Sequence, residues 1–157
     1  MSGLSCITAH SAKVLHLGGL LMLLASAACW PGYLRLQLEA PPRVNQGLPL
    51  HIVVRAVEPP DYLRDTRISV GNLLAGSDPS VLMDVVLLPP LSAPWRRTLW
   101  IKRPEKKSVG VYFLFAAPRG TWKVLLEPPL PLRLRLELAE QSVAPVAGSR
   151  GKVLPFL

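Results

Sequence analysis

The side chains suited to chemistry are few in this 157-residue chain, and their spacing argues against most of it. Asp61, Asp65, Asp78 and Asp84 could in principle form a general acid and base pair. They are scattered over loops and strand ends, where aspartate ordinarily serves as a turn or solvated residue. His51 lies in an alternating stretch with no second imidazole and no thiol nearby, so it reads as a surface or packed residue rather than a metal ligand. The chain has no Gly-x-Ser-x-Gly, no His-Glu-x-x-His, no cysteine pair and no phosphate-gripping glycine loop. The expectation is a protein without catalytic, metal or cofactor residues. An enzyme using the loop carboxylates is the weakest of the readings.

A second constellation is basic. Arg96, Arg97, Lys102, Arg103, Lys106 and Lys107 cluster around Trp95 and Trp100, a mixture that suits single-stranded nucleic acid, anionic lipid headgroups or an acidic protein face. The front of the chain argues against nucleic acid. Lys13 precedes an apolar run from Val14 to Ala28, of signal-peptide length and short for a bilayer span. Small residues and then Trp30-Pro31-Gly32 suit cleavage, so residues 1–28 are read as an export leader. A buried or anchoring helix is the alternative. Lys13 is the only one of the 18 Lys and Arg before Cys29, and all 10 Asp and Glu follow it, so the exported part carries about +7. Of two cysteines, Cys6 and Cys29, only the second would survive export, which leaves no internal disulfide.

Ser26-Ala27-Ala28-Cys29 resembles a bacterial lipobox, with Ser26 where leucine is usual. Cys29 would then become the first mature residue and carry acyl chains. More than one chain makes anchoring stable, at about 0.8 kcal/mol per buried methylene. Trp30 is not the aspartate that commonly retains such proteins at the inner membrane, so the periplasmic face of the outer membrane is the expected address. Cleavage by the general peptidase, giving a soluble periplasmic protein, is the alternative.

The elements that must position these residues are strands. In Ser108 to Phe115, Val109, Val111, Phe113 and Phe115 share one face and Tyr112 and Leu114 the other, so both faces call for burial in the middle of a sheet. Tyr33 to Glu39 and Leu130 to Leu138 alternate leucine with polar residues, as half-buried strands do. Pro49 to Val57, Val81 to Leu88, Trp95 to Ile101 and Thr121 to Glu127 supply the rest, with Trp95 to Ile101 irregular enough for an edge. Tyr62 to Ala75 reads as a short helical or irregular crossover laying Tyr62, Leu73 and Leu74 on the sheets. Seven strands with frequent turn signals predict an all-β fold, an antiparallel two-sheet sandwich over residues 29–140. Residues 141–157 read as a tail rich in Pro, Gly and Ser, whose last apolar residues dock at most at its end.

In this order the motifs resemble the TssJ family, the outer-membrane lipoproteins of the bacterial type VI secretion system. The residues that carry the resemblance are Cys29, Asn45 to Arg55 in place of an Asn-Pro-Asp loop leading to Pro-x-x-Val-Val-Arg, Tyr62 with Asp65, Leu88-Pro89-Pro90, Lys102-Arg103-Pro104, Val109-Gly110-Val111 and Trp122-Lys123. The loop lacks the Pro-Asp, Leu91 replaces a glycine, and the tail is extra. The resemblance implies a transthyretin-like sandwich with no catalytic role. It implies that Cys29 is the lipid attachment site and that Arg43, Val44, Asn45, Gln46 and Gly47 form the loop that grips the periplasmic C-terminal region of TssM, the IcmF-like inner-membrane subunit. Self-association within the envelope complex stays open. The reading from the residues alone is a periplasmic sandwich that binds an anionic envelope ligand through Trp95 to Lys107.

Overall fold

Alternation decides the first strand. In β1 (Tyr33–Ala40) the side chains of Leu34, Leu36 and Leu38 are buried, while Tyr33 is exposed and Arg35, Gln37 and Glu39 are half-buried on the other face. The computed structural model describes residues 32–146 and 153–156; the expected leader and Cys29 lie outside the described residues. Further along come β2 (Leu50–Val57), α1 (Pro59–Arg64), α2 (Arg67–Ala75), β3 (Val81–Leu87), β4 (Trp95–Lys102), β5 (Ser108–Leu114), β6 (Lys123–Leu126), β7 (Arg133–Leu138), β8 (Val143–Pro145) and β9 (Val153–Phe156).

The strands form two sheets, one in the order β4-β1-β7-β8 and one in the order β3-β2-β5-β6-β9. Every pairing is antiparallel except β1 with β7, which run parallel. The leucines of β1 and β7 meet Ile52, Val54, Val109, Val111 and Phe113 between the sheets, forming one core. A smaller cluster, Val53, Val57, Tyr62, Val70, Tyr112 and Leu125, lies under the two helices on the outer face of the five-stranded sheet. β5 is the middle strand of that sheet and is buried on both faces, as its apolar residues require. β4 is an edge strand, also as expected.

One difference from the sequence reading has a physical cause. Residues 141–157, read as a tail, contribute β8 and β9, which pair with β7 and β6. Both strands contain a proline, and both sit at sheet edges, where a missing N–H is tolerated. The crossover, read as short helical or irregular, is helical, in two pieces. Thr66 caps α2, its hydroxyl accepting from the Ser69 N–H at 3.1 Å while the Ser69 hydroxyl accepts from the Thr66 N–H at 2.8 Å.

Candidate docking site

The β1–β2 loop departs furthest from ordinary backbone. Arg43, Asn45 and Gln46 have φ of 59°, 55° and 60°, and Gly47 follows at 77°. A left-handed conformation costs a non-glycine residue about 1–2 kcal/mol, so three such residues close together need compensation. Asn45 supplies it. Its Nδ2 donates to the carbonyls of Pro49 at 2.7 Å and Leu48 at 3.3 Å, and its Oδ1 accepts from the Ala116 N–H at 2.7 Å. The Asn45 N–H donates to Glu140 C=O at 2.7 Å, and the Arg43 N–H to Pro90 C=O at 3.2 Å. Four loops are thereby tied together at one end of the sandwich.

Of the five residues expected to contact a partner, Val44 and Asn45 are buried, at 0% and 1% exposed. Val44 plugs the core, and Asn45 holds the loops. Arg43 and Gln46 are exposed and Gly47 half-buried, so the loop offers a partner these and its neighbours. Leu48, at 48% exposed, and Leu91, at 61%, add an apolar surface that the sequence reading missed. Leu91 packs so near Gly47 that a Cβ there would lie 2.6 Å from its Cδ2. Leu88, also exposed, follows Leu87, the register partner of Leu50. A cleft of about 960 Å³ opens beside the same loops, lined among others by Glu39, Pro41, Trp95, Arg96, Glu137 and Glu140.

The basic run is not one patch. Arg96 and Arg97 lie near the start of β4, toward the tied loops, and the Arg96 Nε pairs with Glu39 at 3.3 Å. Lys102 ends the strand, and Arg103, Lys106 and Lys107 follow in the β4–β5 loop at the opposite end of the sandwich. Six residues of extended chain place Arg96 and Lys102 about 20 Å apart. Arg103 donates to Leu130 C=O at 2.7 Å, a structural contact.

The aspartates divide in the same way. Asp78 accepts from the Ser80 N–H at 2.7 Å in a turn; the hydrogen bonds from Ser80 hold its carboxyl below the usual range. Asp84 pairs with His51 at 2.5 Å across β2 and β3, and Asp61 lies 3.9 Å from Arg64. Asp65 is no surface residue: it receives Arg55 Nη1 at 3.2 Å and the Tyr112 hydroxyl. Beside it Lys123, 7% exposed, donates to Asp65 C=O at 2.9 Å and Tyr62 C=O at 2.6 Å. Its ammonium lies 4.6 Å from the Tyr62 ring centroid and 5.3 Å from that of Trp122. Burial lowers the Lys123 pKa against the opposing pull of Asp65. This network fastens α1 and the helix junction to the sheet, which gives Tyr62, Asp65, Trp122 and Lys123 a structural role. Among the described residues no cluster of His, Cys, Asp and Glu could hold a metal ion.

The class the structure defines is a two-sheet β-sandwich whose loops are fastened together at one end. Residues 51–138 match the family described as IglE, N-terminal domain, and the chain belongs to that family. Several solved structures share the fold. Serratia marcescens Lip, described as a membrane bound component of the Type VI Secretion System, aligns with a TM-score of 0.56 at 19% identity, over 75% of this chain and 99% of that one. The T6SS lipoprotein TssJ1 from Pseudomonas aeruginosa aligns with 0.56 at 17%, over 80% and 99%. A chain from the structure described as T6SS protein TssM C-terminal domain (869-1107) from EAEC aligns with 0.57 at 14%, over 73% and 98%. The resemblance to TssJ lipoproteins read from the sequence is thus borne out in the fold. No curated protein matches the sequence.

Proposed function

We propose that this chain is a non-catalytic component of a type VI secretion envelope complex. An acylated Cys29 tethers it to the outer membrane, and its tied loop end docks the periplasmic C-terminal region of a TssM-type inner-membrane subunit. The observation that carries this reading is the Asn45 tie. A loop already ordered by bonds to three other loops loses little freedom on binding, so its exposed side chains convert contact into affinity efficiently. Membership of the IglE family and the fold shared with a membrane-bound secretion component and a secretion lipoprotein support it. Among the described residues no helix is long and apolar enough to cross a membrane.

The contact set differs from the one the resemblance implies. Val44 and Asn45 build the surface from beneath, and Arg43, Gln46, Leu48 and Leu91 present it. Titrating the protein with the purified periplasmic region of the TssM-type subunit tests this. Leu48→Asp with Leu91→Asp weakens binding by at least about tenfold, as expected when a central apolar contact is lost. Lys106→Gln with Lys107→Gln, at the other end, leaves binding within about twofold. The reverse pattern rejects the reading.

A further inference from the structure

The two sheets are finished differently on their outer faces. Two helices cover part of the five-stranded sheet, through Tyr62 and Val70. Among the described residues no element covers the four-stranded one, and its charges are sorted along the strands. Toward the tied loops Glu39 pairs with Arg96 at 3.3 Å and with Arg135 at 3.4 Å, and Glu137 lies beside Glu39 in register. At the other end Tyr33 stands opposite Lys102, Arg35 opposite Trp100, and Arg133 on the far side of Arg35. These positions hold three cations, two amphipathic aromatics and no carboxylate. The Arg35 guanidinium lies 5.7 Å from the Trp100 ring centroid, and Tyr33 and Trp100 are 45% and 44% exposed. Lys106 and Lys107 follow on the adjoining loop, with Glu105 the one acidic residue there.

We propose that this end of the face, Tyr33, Arg35, Trp100, Lys102 and Arg133, lies on the surface of an anionic lipid bilayer. The chemistry selects a membrane over a folded acidic partner. Cross-strand pairs set these side chains side by side on one face of the sheet. Tyr and Trp, with an apolar body and a polar tip, sit at headgroup depth, and flanking Lys and Arg meet lipid phosphates. The exposed Leu132, just before β7, adds apolar surface at the same end. Chain length agrees, because the four residues from Cys29 to Tyr33 span at most about 14 Å. The face then stands at the end opposite the tied loops, so lipid contact and partner docking do not compete.

The proposal rests on the envelope reading only in requiring a membrane nearby. The test uses the processed protein carrying Cys29→Ser, so that no acyl chain contributes. It is titrated with phosphatidylcholine vesicles, with and without phosphatidylglycerol, at low and high salt, and cosedimentation is read. The expected result is binding to the phosphatidylglycerol vesicles alone, abolished by high salt. Arg35→Gln, Lys102→Gln and Arg133→Gln each lower it about fivefold, and together on the order of a hundredfold. Arg64→Gln, on α1, leaves it unchanged. Lys102→Gln alone, at an exposed strand end, keeps the test sound should Arg35→Gln perturb folding. Binding indifferent to phosphatidylglycerol, or lost equally with Arg64→Gln, overturns the proposal. The partner titration of the loop end is read separately, so failure here is distinguishable from failure of the docking reading.

Discussion

Asn45 satisfies three backbone groups with one side-chain amide and a fourth with its own N–H, in a backbone conformation that asparagine tolerates better than most residues. Replacing it with alanine leaves the Ala116 N–H and the Pro49 carbonyl without that partner. Both bonds are only partly buried, so water replaces part of each, and their loss costs about 1–3 kcal/mol together. Asn45→Ala is therefore expected to lower the urea midpoint by a matching amount, with the m-value unchanged. A variant as stable as the parent would show that the tie does not hold the loop. The sequence could not reveal this role, because Asn45-Gln46-Gly47 reads locally as a turn and its decisive partners are 71 and 95 residues away, at Ala116 and Glu140. Asp65 was hidden in the same way. Its partners Arg55 and Tyr112 lie on two neighbouring strands, and only their pairing brings them to one carboxylate. Gly110 was visible in the Val-Gly-Val motif, but its reason is spatial: a Cβ there would lie 2.7 Å from the Tyr112 ring.

At the level of elements, the helices are held to the five-stranded sheet through ionisable groups, and this makes their attachment depend on pH. Burial, with Asp65 close by, pushes the phenols of Tyr62 and Tyr112 well above their usual range. The folded protein then keeps protons that the unfolded chain releases above about pH 10, so each phenol lowers stability as pH rises, by up to about 1.4 kcal/mol per unit. Lys123 acts oppositely. Its lowered pKa makes the unfolded chain the stronger proton binder, so its contribution rises with pH until about 10.4, where the unfolded amine is itself half titrated. Above that point the phenols prevail. Stability is expected to fall from about pH 10.5 upward, and Tyr112→Phe to reduce the slope by roughly half. Urea titrations across the alkaline range check both, and a slope unchanged in Tyr112→Phe would remove the tyrosine from the account. The elements themselves were largely readable. Leucine alternation marked β1 and β7, and two-sided apolar content marked the centre of a sheet. β8 and β9 were not readable, because three- and four-residue strands containing proline carry too little pattern to distinguish from a tail.

Across the whole molecule, the direction of the strands separates the two candidate surfaces. The loops tied by Asn45 stand where β1 ends, and Tyr33, Lys102 and the basic loop stand where it begins, about 23 Å away. In sequence Arg96 and Lys107 looked like members of one basic patch, because linear spacing does not show that a strand carries one end of the run away from the other. The proposed lipid contact and the proposed docking surface therefore fall at opposite ends. The most direct test of that arrangement is the hydrogen-exchange footprint of the protein with and without the periplasmic region of the TssM-type subunit. Docking through the tied loops predicts added protection over residues 41–49 and 88–91, with residues 102–107 unchanged. Protection confined to residues 102–107, or none at the tied loops in a complex shown to form, would contradict the account.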